Sequence, residues 1–177
     1  MRYADALPKI RQFNHILVTG PQRSGTTIGA RIIAYDLNFP GMDETMISTH
    51  SYDLAKARFA TNKKLVIQAP GLSACCHRFP DDVLIVFMER NDDEIVKSQK
   101  RIGWGYMEFE YLMYLENFGY LEKETPISVF KKRMFLIQRK EIAHWIKLDY
   151  NSFCLHKFWL KPEDRIGFHA KQTALDG

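Results

Sequence analysis

Residues 15 to 37 demand a strand, a tight loop and a helix in immediate succession. Ile16, Leu17 and Val18 are consecutive apolar β-formers, as in a strand buried on both faces of a parallel sheet, and Gly20 ends the run. An amphipathic stretch from Ile28 to Leu37 follows. Between them, Gly20 and Gly25 permit close backbone approach and unusual dihedrals. Ser24, Thr26 and Thr27 set hydroxyls beside the unpaired N–H groups of the helix's first turn. Those donors and the helix dipole favour an anion. Arg23 adds a permanent charge in a planar fork suited to phosphate or sulfate oxygens.

Further along, apolar β-rich runs alternate with helical patterns, the signature of a parallel sheet with crossover helices. Lys64 to Gln68 reads as a strand stopped by Ala69-Pro70-Gly71. Val83 to Met88 reads as another, entered from Pro80-Asp81-Asp82 and left through Glu89-Arg90-Asn91. Met46 to Ser48, beyond the turn-rich Asn38 to Met42, reads as a short strand, and Ile142 to Leu148 as a last one. Helices are expected over Ser51 to Ala60, Asp92 to Arg101 with Asn91 or Asp92 as N-cap, Tyr106 to Phe118, and Ser128 to Lys140. The tail from Asn151 is irregular.

The bulk properties fit this pattern. A chain of 177 residues, 46% hydrophobic and 26% charged, is long enough for one well-buried core, so a single domain over residues 1–177 is expected. The net charge of +4 suits an anionic ligand but is too mild and dispersed for nucleic acid. Lys131-Lys132-Arg133, the densest basic cluster, reads as a solvated helix face. Cys75, Cys76 and Cys154 have neither zinc-ligand spacing nor a paired framework, which fits a reducing compartment. With no apolar signal core and no integral membrane segment in the pattern, a cytoplasmic protein is expected.

A nucleoside-triphosphate phosphate loop reads G-x-x-x-x-G-K-[ST]. Gly20 and Gly25 keep that spacing, but Thr26 stands where the lysine belongs, and Thr27 takes the magnesium-binding position. The fold expected is therefore a three-layer α/β, P-loop-type fold, with a central, mainly parallel sheet of about four to five strands flanked by helices. The missing lysine points away from ATP chemistry. A second anion-binding element follows the strand at Val83: Arg90 falls at its carboxyl end, where open α/β sheets collect ligands. Ser98 lies about two turns into the next helix, so the pair can approach one anion from two sides.

Together the two segments resemble the sulfotransferases that use 3′-phosphoadenosine 5′-phosphosulfate. In that family a strand-loop-helix reading P-[KR]-S-G-T-T binds the 5′-phosphosulfate. The match here is Gln22-Arg23-Ser24-Gly25-Thr26-Thr27, with the proline one place earlier at Pro21. A second strand-to-helix element carries an arginine and, eight positions later, a serine for the 3′-phosphate, the spacing of Arg90 and Ser98. The arginine form of the first loop looks most like the tyrosylprotein and related bacterial enzymes. That branch places a glutamate base in a G-E-E-T segment; this chain has Gly41-Met42-Asp43-Glu44-Thr45, which implies Glu44 as the base, with Asp43 its rival.

The resemblance implies a sulfuryl transfer to a hydroxyl or amine, with no essential metal. Gln22 to Thr27 would hold the 5′ end, Arg23 would stabilise the leaving group, and Arg90 and Ser98 would recognise the 3′-phosphate. It covers residues 14 to about 100 well and the rest poorly. Ala69-Pro70-Gly71 stands where the cytosolic branch carries a catalytic histidine, which leaves His50 and His77 as surface or packing residues. Tyr150-Asn151-Ser152-Phe153 resembles faintly the family's late Tyr-Glu-Asp-Leu segment. The acceptor, a small molecule, glycan or lipid, and the oligomeric state are not specified. Met46 in place of the peptide-contacting arginine disfavours peptide tyrosine, and the aromatic segment Trp104 to Tyr114 reads as core packing ahead of an acceptor pocket. Two other classes stay open: a small P-loop kinase using ATP, and a noncatalytic module that binds the donor or its bisphosphate product.

Overall fold

The computed structural model describes residues 1–46, 51–101 and 127–159. Within them α1 (Tyr3–Ile10), β1 (His15–Thr19), α2 (Thr26–Leu37), β2 (Gly41–Met42), α3 (Tyr52–Thr61) and β3 (Leu65–Gln68) follow in order. Then come β4 (Val83–Glu89), α4 (Asp92–Arg101), α5 (Ile127–Gln138) and β5 (Trp145–Asp149), with 3-10 turns at Pro70–Ala74, Cys76–Arg78 and Tyr150–Phe153. The five strands form one parallel sheet in the order β2-β3-β1-β4-β5.

Strand alternation divides the core into two layers of side chains. Ile16, Val18, Val66, Leu84 and Val86 project to one face, against Ala6 and Ile10 of α1 and Ile32 and Ile33 of α2. Leu17, Leu65, Ile67, Ile85 and Phe87 project to the other, against Phe59 of α3 and Phe135 of α5. The Phe87 and Phe135 rings stack with centroids 4.1 Å apart. Helices thus cover both faces, giving a three-layer α/β fold of the P-loop type. That is why the central strands are unbroken apolar runs instead of alternating ones.

Two expectations are corrected and one element is added. The second strand is Gly41–Met42, inside the segment read as a turn; Met46 lies in a turn, and Ile47 and Ser48 fall outside the described residues. So short an edge strand, paired to Val66 and Ile67, carries no periodic signal. The amino terminus forms α1 despite Pro8 in its interior, because Tyr3, Ala6 and Ile10 are buried on one side. The last strand begins at Trp145, while Ile142 plugs the core on the α5 side. The helix expected over 106–118 lies outside the described residues.

All five strands being parallel, their carboxyl ends share one edge. The chain leaves β1 toward β2 on one side, whereas β4 and β5 lie on the other. The loops after β1 and β4 therefore part at a topological switch point, where sheets of this kind open a crevice.

Candidate functional site

The loop after β1 takes a shape that only part of its sequence adopts readily. Gly20 and Gly25 have φ of 133° and 94°, and Arg23, which has a Cβ, sits at 71° in the left-handed region. A Cβ on Gly20 would lie 2.8 Å from the Met88 carbonyl oxygen, and one on Gly25 would lie 2.2 Å from Tyr150 Cδ2. The glycines thus let the loop press against β4 on one side and the Tyr150 ring on the other. Holding Arg23 left-handed costs on the order of 1 kcal/mol.

Partners from distant elements hold that conformation. Arg23 Nε donates to Ser98 Oγ at 3.0 Å, and Arg90 Nη1 donates to the Arg23 carbonyl at 3.1 Å. Gln99 Nε2 donates to the Gln22 carbonyl at 3.2 Å. Asn91 caps α4 through Oδ1, which accepts from the Asp93 and Glu94 N–H groups, fixing where Ser98 and Gln99 point. The structure brings Arg23, Arg90 and Ser98 together, 67 and 75 positions apart in sequence. Arg90 itself is largely buried: its guanidinium stacks 4.3 Å over the Tyr150 ring and its Nε pairs with Glu94 at 2.7 Å.

The loop hydroxyls divide by position. Thr27 is exposed at the start of α2. Thr26 is 3% exposed and its Oγ1 accepts from Gln68 Nε2 at 3.3 Å, so the position of the absent lysine is packed against the end of β3. Ser24 Oγ is fully buried and has no hydrogen-bond partner among the described residues. A buried hydroxyl left in this state is costly unless a ligand completes it. Ser24 and Gly25 sit at the amino end of α2, where N–H groups converge on an anion.

Glu44 lies two residues beyond β2, half-buried, two strands away from β1. At the usual strand spacing this is about 10 Å from the loop's root. Its rival is engaged otherwise: Asp43 Oδ1 accepts from Thr45 N at 3.0 Å and Thr45 Oγ1 at 2.6 Å, an ordinary turn-closing role. Arg31 of α2 is half-buried nearby; burial pulls its guanidinium down from the ordinary value, and the Asp43 carboxylate opposes that shift. His77 Nδ1 lies 2.9 Å from Gln138 Oε1 and packs against α5, as expected, whereas His50 lies outside the described residues.

The basic cluster on α5 is not a solvated face. Lys131 is fully buried, with Nζ 2.6 Å from Gln22 Oε1 and 3.4 Å from the Pro70 carbonyl. Lys132 Nζ donates to the Arg90 carbonyl at 2.5 Å and pairs with Asp92 at 2.8 Å. One helix thus braces both loops. The signal was present in the sequence: Lys131 shares a stripe with Ser128, Phe135 and Gln138, at offsets of three, four and seven. Reading three adjacent cations as a unit concealed it.

Among the described residues, no group of three or more His, Cys, Asp or Glu side chains is placed to hold a metal ion. No described helix is long and apolar enough to cross a membrane. No family model and no curated protein matches the chain. Among solved structures, shikimate kinase from Acinetobacter baumannii in complex with shikimate is similar over 96% of this chain and 97% of that one, at 13% identity and a TM-score of 0.46. So loose a likeness carries no argument about the chemistry, which rests on the loop and its partners.

Proposed function

We propose that this chain is a nucleotide-using transferase that moves a sulfuryl group from 3′-phosphoadenosine 5′-phosphosulfate to a hydroxyl or amine. The observation that carries the reading is the Arg23 to Ser98 hydrogen bond, with Arg90 on the Arg23 carbonyl. It joins at one crevice the two elements that a donor with separate 5′ and 3′ anionic groups requires.

The roles follow from position. Gln22 to Thr27 hold the 5′-phosphosulfate through N–H groups and the Ser24 hydroxyl, while Arg23 neutralises charge growing on the bridging oxygen. Ser98 and Arg90 take the 3′-phosphate, for which Arg90 exchanges its Glu94 partner for a more highly charged one. Glu44 accepts the acceptor's proton as the acceptor oxygen bonds to sulfur. The bond from sulfur to the bridging oxygen breaks, and its electron pair leaves with the 3′,5′-bisphosphate. The span of about 10 Å between the roots of Glu44 and the loop leaves room for a sulfuryl group and acceptor between them.

A second reading is a small P-loop kinase using ATP. On architecture alone it is the better supported of the two, since a parallel sheet with its phosphate loop after the central strand is the plan of such kinases. Lys131 beside the loop is a lysine of the kind the loop sequence lacks. Calorimetric titration separates the readings. Adenosine 3′,5′-bisphosphate is expected to bind about tenfold or more tightly than ATP with magnesium, a difference of about 1.4 kcal/mol. A preference for ATP that depends on magnesium overturns the sulfotransferase reading, and bisphosphate binding without turnover of the sulfated donor identifies a noncatalytic module.

A further inference from the structure

The residue missing from the loop has a counterpart on α5. Lys131 lies on the helix's buried stripe, yet its ammonium ends on two oxygens at the carboxyl edge of the sheet: Gln22 Oε1 in the first loop and the Pro70 carbonyl beyond β3. An ammonium only donates. Its contact therefore fixes the Gln22 amide with the oxygen toward Lys131 and the two N–H donors on the other side. Gln99 meanwhile holds the Gln22 carbonyl. Gln22 is thus oriented through both side chain and main chain, and it directly precedes the left-handed Arg23.

Burial strengthens the effect. A cation surrounded by protein is less screened than one in solvent and acts over a longer range. Lys131 places that charge behind the loop, at a point where no residue of the loop's own second half can: Thr26 is neutral and packed on Gln68.

We propose that Lys131 is the lysine of this phosphate loop, delivered from α5: a positioning residue that anchors Gln22 and through it the loop backbone that holds the 5′-phosphate end of the nucleotide. The proposal rests on residues 20–27 being the donor site. It is indifferent to whether the group transferred is sulfuryl or phosphoryl.

The test compares two ligands that differ only at the 5′ end, adenosine 3′,5′-bisphosphate and adenosine 3′-monophosphate, on wild type and Lys131→Met. The variant is expected to lose about tenfold or more in affinity for the bisphosphate and less than about twofold for the monophosphate. Equal losses on both ligands mark a structural prop and overturn the proposal, as does no loss on either. If Lys131→Met lacks the wild-type circular dichroism spectrum, Gln22→Leu replaces it. That variant keeps the lysine and removes the oxygen it acts through, so the same 5′-selective loss is expected and an unselective or absent one overturns the role. Wild type that binds neither ligand nor ATP with magnesium overturns the donor-site reading itself. Wild type that binds while the variants show no 5′ selectivity overturns the lysine's role alone.

Discussion

The two flanks of the sheet's carboxyl edge are built differently. Around β1 and β4, residues 22 and 23 are held by Ser98, Gln99, Arg90 and Lys131, and Arg90 is held in turn by Lys132, Glu94 and the Tyr150 ring. Around β2, the strand is two residues long, Asp43 closes its own turn, and Met46 is exposed. On the proposed function, the first flank is a preorganised cradle for a nucleotide. On the same reading the second is a sparse rim for the acceptor, and sparse rims leave specificity to be set locally.

That contrast is open to attack from both sides. The largest effect belongs to the rim: Glu44→Gln is expected to lower transfer by about 100-fold to 10,000-fold while donor affinity stays within about twofold. Rates on a panel of phenol, alcohol and amine acceptors, beside donor titrations, check it. Retained activity gives the base role to Asp43 or His50. Next comes the cradle's geometry. Gly25→Ala sets a Cβ 2.2 Å from the Tyr150 ring at a φ of 94°, so a loss of roughly 3 kcal/mol in urea unfolding is expected, together with loss of bisphosphate binding.

Arg90→Ala sharpens the contrast further, because Arg90 serves both the loop and the 3′-phosphate. Bisphosphate affinity is expected to fall about 10-fold to 100-fold, and adenosine 5′-phosphosulfate affinity several-fold less, the shared part coming from the freed Arg23 carbonyl. Equal losses in calorimetry reduce Arg90 to a prop. The smallest effect is a control on the rim side. Ser51 caps α3 by accepting from Leu54 N at 3.2 Å, so Ser51→Ala is expected to cost about 1 kcal/mol of thermal stability and leave bisphosphate binding unchanged. A change in binding there joins the two flanks into one unit.

Legibility in the sequence follows the same division. β1, β3 and β4 announce themselves because burial on both faces demands uninterrupted apolar β-formers. The pairing of Arg23 with Ser98 was foreshadowed only by two short motifs, since no local pattern encodes a contact across 75 positions. Gly41–Met42 left no trace because two residues have no period, and Pro8 hid α1 by breaking the rule that helices exclude it. Lys131 was obscured by its neighbours' charge, though its helical phase matched that of Phe135. The β2 flank has neither repeated pattern nor dense contacts, and only the family resemblance assigns it a role.

The loop's dependence on residues 67, 75 and 109 positions downstream also orders its history. Residues 20 to 27 leave the ribosome before the side chains that hold Arg23 left-handed and turn Gln22 are synthesised. A nascent chain stopped before α5 carries the whole phosphate-loop sequence without the lysine that orients it. The loop's held shape is thus gained late, once α4 and α5 have emerged and docked.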